Sequence, residues 1–218
     1  MRQLRQTIAG AASLMSLVWI TGCAAMGGPS EQAGFTYQNI PVASTSATAG
    51  DGNSVTLKGK PLALAGQGVK MGDTLRDVAV ATEDLSLINI ADTRGTVRII
   101  SVVPSLDTPV CEQQTHYLSE KNNGLDQTVE LVTVSVDTPF AQSRFAKEAR
   151  IENVTFFSDY RGGDFGKTHG LLVEGPHILA RTVMVVDQDN VIRYLQITPE
   201  LAQMPDMEAA FRKARSLK

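Results

Sequence analysis

Val97-Arg98-Ile99-Ile100-Ser101-Val102-Val103-Pro104-Ser105-Leu106-Asp107-Thr108-Pro109-Val110-Cys111 is the stretch from which the fold is read. Its first seven residues are rich in β-branched side chains and lack a polar alternation, the pattern of a strand buried on both faces. Gly95 precedes the run, and Pro104 stops it because a proline cannot donate to a ladder. Val110–Leu118 reads as a helix, so the chain passes from a buried strand into a helix with Cys111 in or near the first helical turn. Free backbone N–H groups and the helix dipole favour an anion there. A thiol so placed is biased toward the thiolate, which is the nucleophilic form. Taken alone, a cysteine at a strand end is equally read as a small buried hydrophobe, and Thr108 as a helix N-cap.

Outward from this stretch, apolar runs alternate with helical patterns. Upstream, Val55–Leu57 and Leu62–Ala65 form an expected hairpin around Gly59-Lys60-Pro61, and Val78–Ala81 and Leu87–Ile90 are short candidate strands. Downstream come a buried strand over Val129–Val136, a helix over Phe140–Ala149, a strand over Val154–Phe157 and a short helix over Phe165–Leu171. A hairpin, Arg181–Val186 with Val191–Gln196, turns at Gln188-Asp189-Asn190, and Asp206–Leu217 is the terminal helix. Strand–helix–strand alternation closing on a hairpin predicts an α/β sandwich with a central mixed sheet flanked by helices.

The 218 residues are 43% hydrophobic and 20% charged, ordinary globular usage that allows one domain with appendages. A net charge of -3 gives no basis for nucleic-acid binding, which relies on a clustered basic face. The two cysteines, Cys23 and Cys111, are too few for a disulfide framework. His116, His169 and His177 are widely spaced, so neither a metal site nor a cofactor is expected, and Gly162-Gly163 reads as a turn. Arg144 and Arg161 read as structural or supporting residues.

Pro104, Thr108 and Cys111 match the Pro-x-x-x-Thr-x-x-Cys signature of peroxiredoxins, and the string Ser101–Cys111 resembles the thiol peroxidase branch in particular. The resemblance continues through Val134–Phe145, Ser158–Arg161, Phe165–Lys167, Leu179–Asp187 and Met204–Ala210, and so covers nearly the whole domain. It implies a thioredoxin-like (peroxiredoxin) fold with an N-terminal β-hairpin. It also implies a thiol-dependent peroxidase acting on hydrogen peroxide and organic hydroperoxides, and a homodimer. Cys111 is then the nucleophile that becomes a sulfenic acid. Thr108 is to orient the peroxide and donate to the thiolate, Arg181 to stabilise the thiolate and bind a substrate oxygen, and Pro104 to shield the sulfur from water. Without the resemblance, Arg181 is an ordinary surface or ion-pair residue.

One departure matters. Most thiol peroxidases carry a resolving cysteine after the Arg-Phe pair of the second helix; here Arg144-Phe145 is followed by Ala146. The sulfenic acid at Cys111 then has no intramolecular thiol, and an external reductant, a thioredoxin-like protein or a small thiol, is expected to complete the cycle. The rival reading is a peroxide-responsive sensor or a non-enzymatic module that keeps the fold. A disulfide oxidoreductase is rejected, because Thr108 stands where a Cys-x-x-Cys motif needs its first cysteine.

The N-terminus has the layout of an export signal: Arg2 and Arg5, then an apolar run from Ile8 to Ile20 that is short for a membrane span. Ile20-Thr21-Gly22-Cys23 resembles a bacterial lipobox, which implies cleavage before Cys23 and its acylation. An ordinary export signal, or a Cys23–Cys111 disulfide, are the plainer readings of Cys23. The expected organisation is a signal peptide over 1–22, a flexible Gly/Ala/Ser/Thr-rich tether over 23–54 and the peroxidase domain over 55–218. The expected location is a lipid-anchored one on a membrane; in a two-membrane bacterium, Ala24 in place of Asp is consistent with the periplasmic face of the outer membrane.

Overall fold

The computed structural model describes residues 34–92 and 95–218. The signal and lipobox at 1–23 lie outside the described residues. β5 (Arg98–Val102) is buried along its whole length, and its neighbours explain why. β6 (Glu130–Ser135) pairs with it in parallel on one side and β10 (Thr182–Val186) antiparallel on the other. Beyond β6 lies β7 (Thr155–Ser158), parallel to it, followed by β3 (Ala79–Ala81) and β4 (Leu87–Asn89) in antiparallel pairings. β11 (Ile192–Ile197) forms the other edge beside β10. These seven strands make the expected mixed sheet. A second, antiparallel sheet of four strands runs in the order β1 (Ser54–Leu57), β2 (Lys60–Ala65), β8 (Leu172–Val173), β9 (Ile178–Leu179). The β1–β2 hairpin is the expected one; the two-residue strands β8 and β9 carry too little sequence to show a period.

The period of two sorts the sheet residues into two cores. Ile100, Val102, Val132, Val134, Met184 and Val186 face one side, together with Phe165, Leu171 and Leu179 around the short helix α3 (Asp164–His169). Ile99, Leu131, Val183 and Val185 face the other, against Leu118 of α1 (Pro109–Glu120) and Ala210, Phe211 and Ala214 of α4 (Met207–Arg215). Each fully buried aliphatic side chain contributes roughly 1.5–3 kcal/mol. α2 (Pro139–Ala149) packs beside β7 and buries only Pro139 and Gln142 fully.

The tether expectation is corrected from Phe35 onward. Phe35–Ser54 belongs to the same compact unit as the rest of the domain. Gln38 N–H donates to the Gln113 side chain, and Gln113 donates back to Gln38 O. Ala43 N–H donates to Met204 O, Ala47 N–H to Ile197 O and Gly50 N–H to Gly170 O. Ala43 and Ala49 are buried. Composition predicted too little burial to fix this segment. It is held by backbone hydrogen bonds to the loop before α4, to β11 and to the C-cap of α3, which a hydrophobicity pattern does not register.

Candidate active site

The site follows from strand parity. Ser101 and Val103 continue the face of β5 that carries Ile99, the face covered by α1. Val103, Leu106 and Cys111 form one buried cluster there, walled by Phe145 of α2 and Phe156 of β7. Cys111 is fully buried and is the free cysteine of the described residues. β10 runs antiparallel to β5 with Thr182 opposite Val102, so Arg181, one residue earlier and in phase with Val183, comes to the same face of the sheet. A chain separation of seventy residues closes to a contact: Arg181 Nη2 donates to Cys111 Sγ at 3.3 Å.

Arg181 is 2% exposed, and its guanidinium donates to two neutral oxygens and to the sulfur. Nε donates to Leu201 O at 2.9 Å and Nη1 to Gln114 Oε1 at 2.8 Å. None of the salt bridges among the described residues involves it. A buried cation without a counter-ion is costly by several kcal/mol. The charge of the guanidinium is thus directed at the sulfur.

Gln114 is the residue that sequence reading missed. It lies fully buried one turn after Cys111 and links three parts of the site. Its Nε2 donates to Ser101 Oγ at 2.8 Å and to Thr182 O at 3.3 Å while Oε1 holds Arg181. The available signal was its i,i+3 spacing from Cys111, which puts both on one helix face.

Pro104 is buried at the end of β5 and Thr108 is exposed at the N-cap position of α1. Thr108 does not cap through its side chain; its hydroxyl donates to Ser105 O at 3.2 Å, while its backbone carbonyl accepts from Glu112 N–H. The connecting loop is pinned by Asp137, which accepts from Ser105 Oγ and from Leu106 N–H, both at 2.7 Å. The structure therefore brings Arg181 directly to Cys111 and sets Pro104 and Thr108 on the loop leading into its helix. Arg161 and Arg144 stand apart on the surface, Arg161 bonded to the Tyr160 hydroxyl. Ala146 lines a groove of about 710 Å³ between α2 and β7, together with Gln142, Lys147 and Phe156. Among the described residues, no group of three His, Cys, Asp or Glu is placed to hold a metal ion.

A thiol at a helix start beside a buried guanidinium, on a mixed sheet with flanking helices, defines the thiol-based peroxidase class. The comparisons agree. The Redoxin family model matches residues 70–211. The thiol peroxidase of Halalkalibacterium halodurans is 42% identical over 163 residues, covering 75% of this chain and 98% of the relative. That of Streptococcus pneumoniae is 41% identical, covering 75% and 99%. The crystal structure of a peroxiredoxin-like protein from Aquifex aeolicus superposes with a TM-score of 0.70 at 37% identity, covering 76% of this chain and 97% of that one. The chain belongs to the Redoxin family and is a thiol-dependent peroxidase of the peroxiredoxin type, with the thioredoxin-like fold of that family.

Proposed function

We propose that Cys111 is the peroxidatic nucleophile, that an external thiol regenerates it, and that the enzyme works on a membrane to which Cys23 anchors it. The hydrogen bond from the buried, otherwise uncompensated Arg181 guanidinium to Cys111 Sγ carries the first part. The sulfur attacks the nearer peroxide oxygen. The S–O bond forms as the O–O bond breaks, and the departing oxygen takes a proton to leave as water or an alcohol. Cys111 is oxidised to the sulfenic acid and the peroxide is reduced. Negative charge develops along that axis, where a fixed donor lowers the barrier. Arg181 is suited to that donor role because its guanidinium does not deprotonate. Thr108, on the exposed rim of the loop, is assigned to the peroxide oxygen, and Pro104 to excluding water.

The external reductant follows from Ala146: the domain from Val55 on holds no cysteine other than Cys111. Its thiolate attacks the sulfenic sulfur, an S–S bond forms, and hydroxide leaves and is protonated to water. A second thiol then displaces the mixed disulfide and releases reduced Cys111. The class of enzyme is consistent with a homodimer, which gel filtration with light scattering tests.

The anchor rests on the lipobox resemblance. Residues 24–34 separate Cys23 from Phe35, and a trans peptide chain spans at most about 3.6 Å per residue, so the domain is held within roughly 40 Å of its anchor. That proximity favours hydroperoxides of the membrane among its substrates.

Cys111→Ser removes the nucleophile at nearly constant volume, and single-turnover peroxide consumption is expected to vanish while the fold survives. Turnover at the wild-type rate rejects the assignment. For the anchor, mass spectrometry of the mature protein is expected to find an acylated Cys23 as its first residue. An unmodified Cys23 on protein confined to the soluble fraction rejects it.

A further inference from the structure

Phe35–Val42 forms a strap with its own hold on the helix that carries Cys111. Phe35 stacks on His116 of α1 with ring centroids 4.0 Å apart and planes 13° from parallel. Tyr37 meets Phe35 edge-on at 5.0 Å and Tyr117 at 6.0 Å. Glu120 ties the assembly: it accepts from the Tyr37 hydroxyl at 2.8 Å and pairs with His116 Nδ1 at 2.6 Å. The rings do not stop at α1. His116 meets Phe145 at 6.5 Å, and Phe145 meets Phe156 at 6.2 Å. Phe145 and Phe156 are the walls packed against the Cys111 cluster. A continuous ladder of rings, Tyr37, Phe35, His116, Phe145, Phe156, thus joins the strap to the side chains that close over the sulfur.

The Redoxin family model matches residues 70–211, and the strap lies ahead of that segment. It is seated on the helix that carries Cys111, in a domain that holds no second cysteine. Cys111 has no exposed surface, so a thiol larger than a peroxide reaches its sulfur only when a wall withdraws. Phe145 is the wall with the weaker hold, because α2 buries only Pro139 and Gln142 fully. His116 is 5% exposed, with Phe35 stacked on it, Glu120 on its Nδ1 and Phe145 at its other contact, so the seated strap restrains the ring against which Phe145 packs.

We propose that the strap is a latch on the α2 wall, and that Phe35 and Tyr37 are positioning residues which, through His116 and Phe145, set how readily an external thiol reaches oxidised Cys111. The latch rests on the reading of Cys111 as a nucleophile reduced from outside. It acts on the second half-reaction, in which the incoming thiolate forms an S–S bond with Cys111 and displaces hydroxide. With Cys111 fully buried, a peroxide too needs an opening, but a small one; a thiol needs the wall to withdraw farther, so the latch weighs mainly on the second half-reaction.

The two half-reactions separate in rapid mixing of the full chain, first with hydrogen peroxide and then with dithiothreitol. Phe35→Ala is expected to accelerate the dithiothreitol step about threefold to tenfold, the range of one lost aromatic contact, and to leave the peroxide step within twofold. Tyr37→Phe, which keeps the ring and loses the Glu120 bond, is expected to fall between the wild type and Phe35→Ala. Phe35→Tyr, which retains the stack, is expected to match the wild type. An unchanged dithiothreitol step in Phe35→Ala overturns the latch. Equal changes in both steps overturn it too, since a merely structural strap moves them together with the melting temperature. Wild-type protein that forms no sulfenic acid at Cys111 overturns the catalytic reading and the latch with it; wild-type oxidation with an insensitive thiol step overturns the latch alone.

Discussion

Arg181 meets four demands with one planar group: it caps Leu201 O, holds Gln114 Oε1, donates to Cys111 Sγ and keeps its charge in a buried place. Gln114 fits this arrangement because it is neutral. A carboxylate there pairs with the guanidinium and spends the charge that the proposed mechanism directs at the sulfur. Arg181→Ala is therefore expected to slow sulfenic acid formation by about 10²–10³-fold, the scale of one lost oxyanion donor. Arg181→Lys is expected to recover little of this, since an ammonium lacks the fork that reaches three acceptors in fixed directions. Stopped-flow rates of peroxide reduction measure both variants, and an Arg181→Ala rate within threefold of wild type removes Arg181 from the mechanism. The Pro104, Thr108 and Cys111 spacing was legible in the sequence because it is local. The Arg181 contact was supplied by resemblance alone, and its cause, the antiparallel register of β10 on β5, was not.

At the scale of the element, α2 carries Ala146, at the position where the family resemblance implies a resolving cysteine. Thr138 caps it by accepting from Ala141 N–H, and Arg150 ends it in the left-handed conformation with φ 55°. Between these ends only Pro139 and Gln142 are fully buried, and Gln142 ties the helix to Ser135 Oγ and Phe157 O. Ala146 lies half-buried in the groove between α2 and β7, one residue past the Phe145 wall. Peroxide-treated wild type is expected to hold Cys111 as sulfenic acid and, with excess peroxide, as sulfinic acid, because no local thiol traps it. Ala146→Cys is expected to convert the sulfenic acid to an internal disulfide, provided α2 loosens enough to bring the Cα atoms within about 7 Å. Intact mass before and after reductant distinguishes the forms. Wild type that stays reduced under millimolar peroxide contradicts the nucleophile assignment, whereas an oxidised Ala146→Cys without a disulfide contradicts only the placement of the resolving position. The helix itself was readable from its apolar spacing; its shallow burial was not, since burial depends on what faces it.

Across the whole molecule, stability depends on pH in part through a buried histidine at the end of α3. His169, fully buried at the end of α3, has its pKa lowered to about 4, chiefly by burial, while its bond to Phe165 O opposes the shift and Arg76 adds to it. Its Nδ1 lies 2.9 Å from Phe165 O and its Nε2 accepts from Arg76 N–H, the pairing of a neutral ring. Between an unfolded value near 6.5 and about 4, the unfolded chain binds a proton that the folded chain refuses. Stability from this group is complete above 6.5 and is lost as pH falls, by at most about 1.4 kcal/mol per pH unit. Asp159 and Glu130, both raised by burial, act in the opposite sense, their ionised forms being the costly ones. Urea denaturation at pH 7 and pH 5 is expected to show the loss in wild type and a smaller one in His169→Gln; equal losses in the two proteins refute the role.

The sequence by itself determined the succession of strands and helices along the chain, the strand-to-helix step and the nucleophile candidate on it. These rest on short-range signals: a buried strand writes a continuous apolar run, and a helix start writes its prolines and caps within a few residues. Only the tertiary structure decided that Phe35–Ser54 lies seated on the domain, that β8 and β9 join the hairpin in a second sheet, and that Gln114 holds Arg181. Each depends on groups far apart in the chain. Gln38 and Gln113 are 75 residues apart, and Gln114 and Arg181 are 67 apart. A hydrogen bond between distant polar groups leaves no period in the sequence, because either partner alone looks like any other exposed glutamine or arginine until the fold brings the two together.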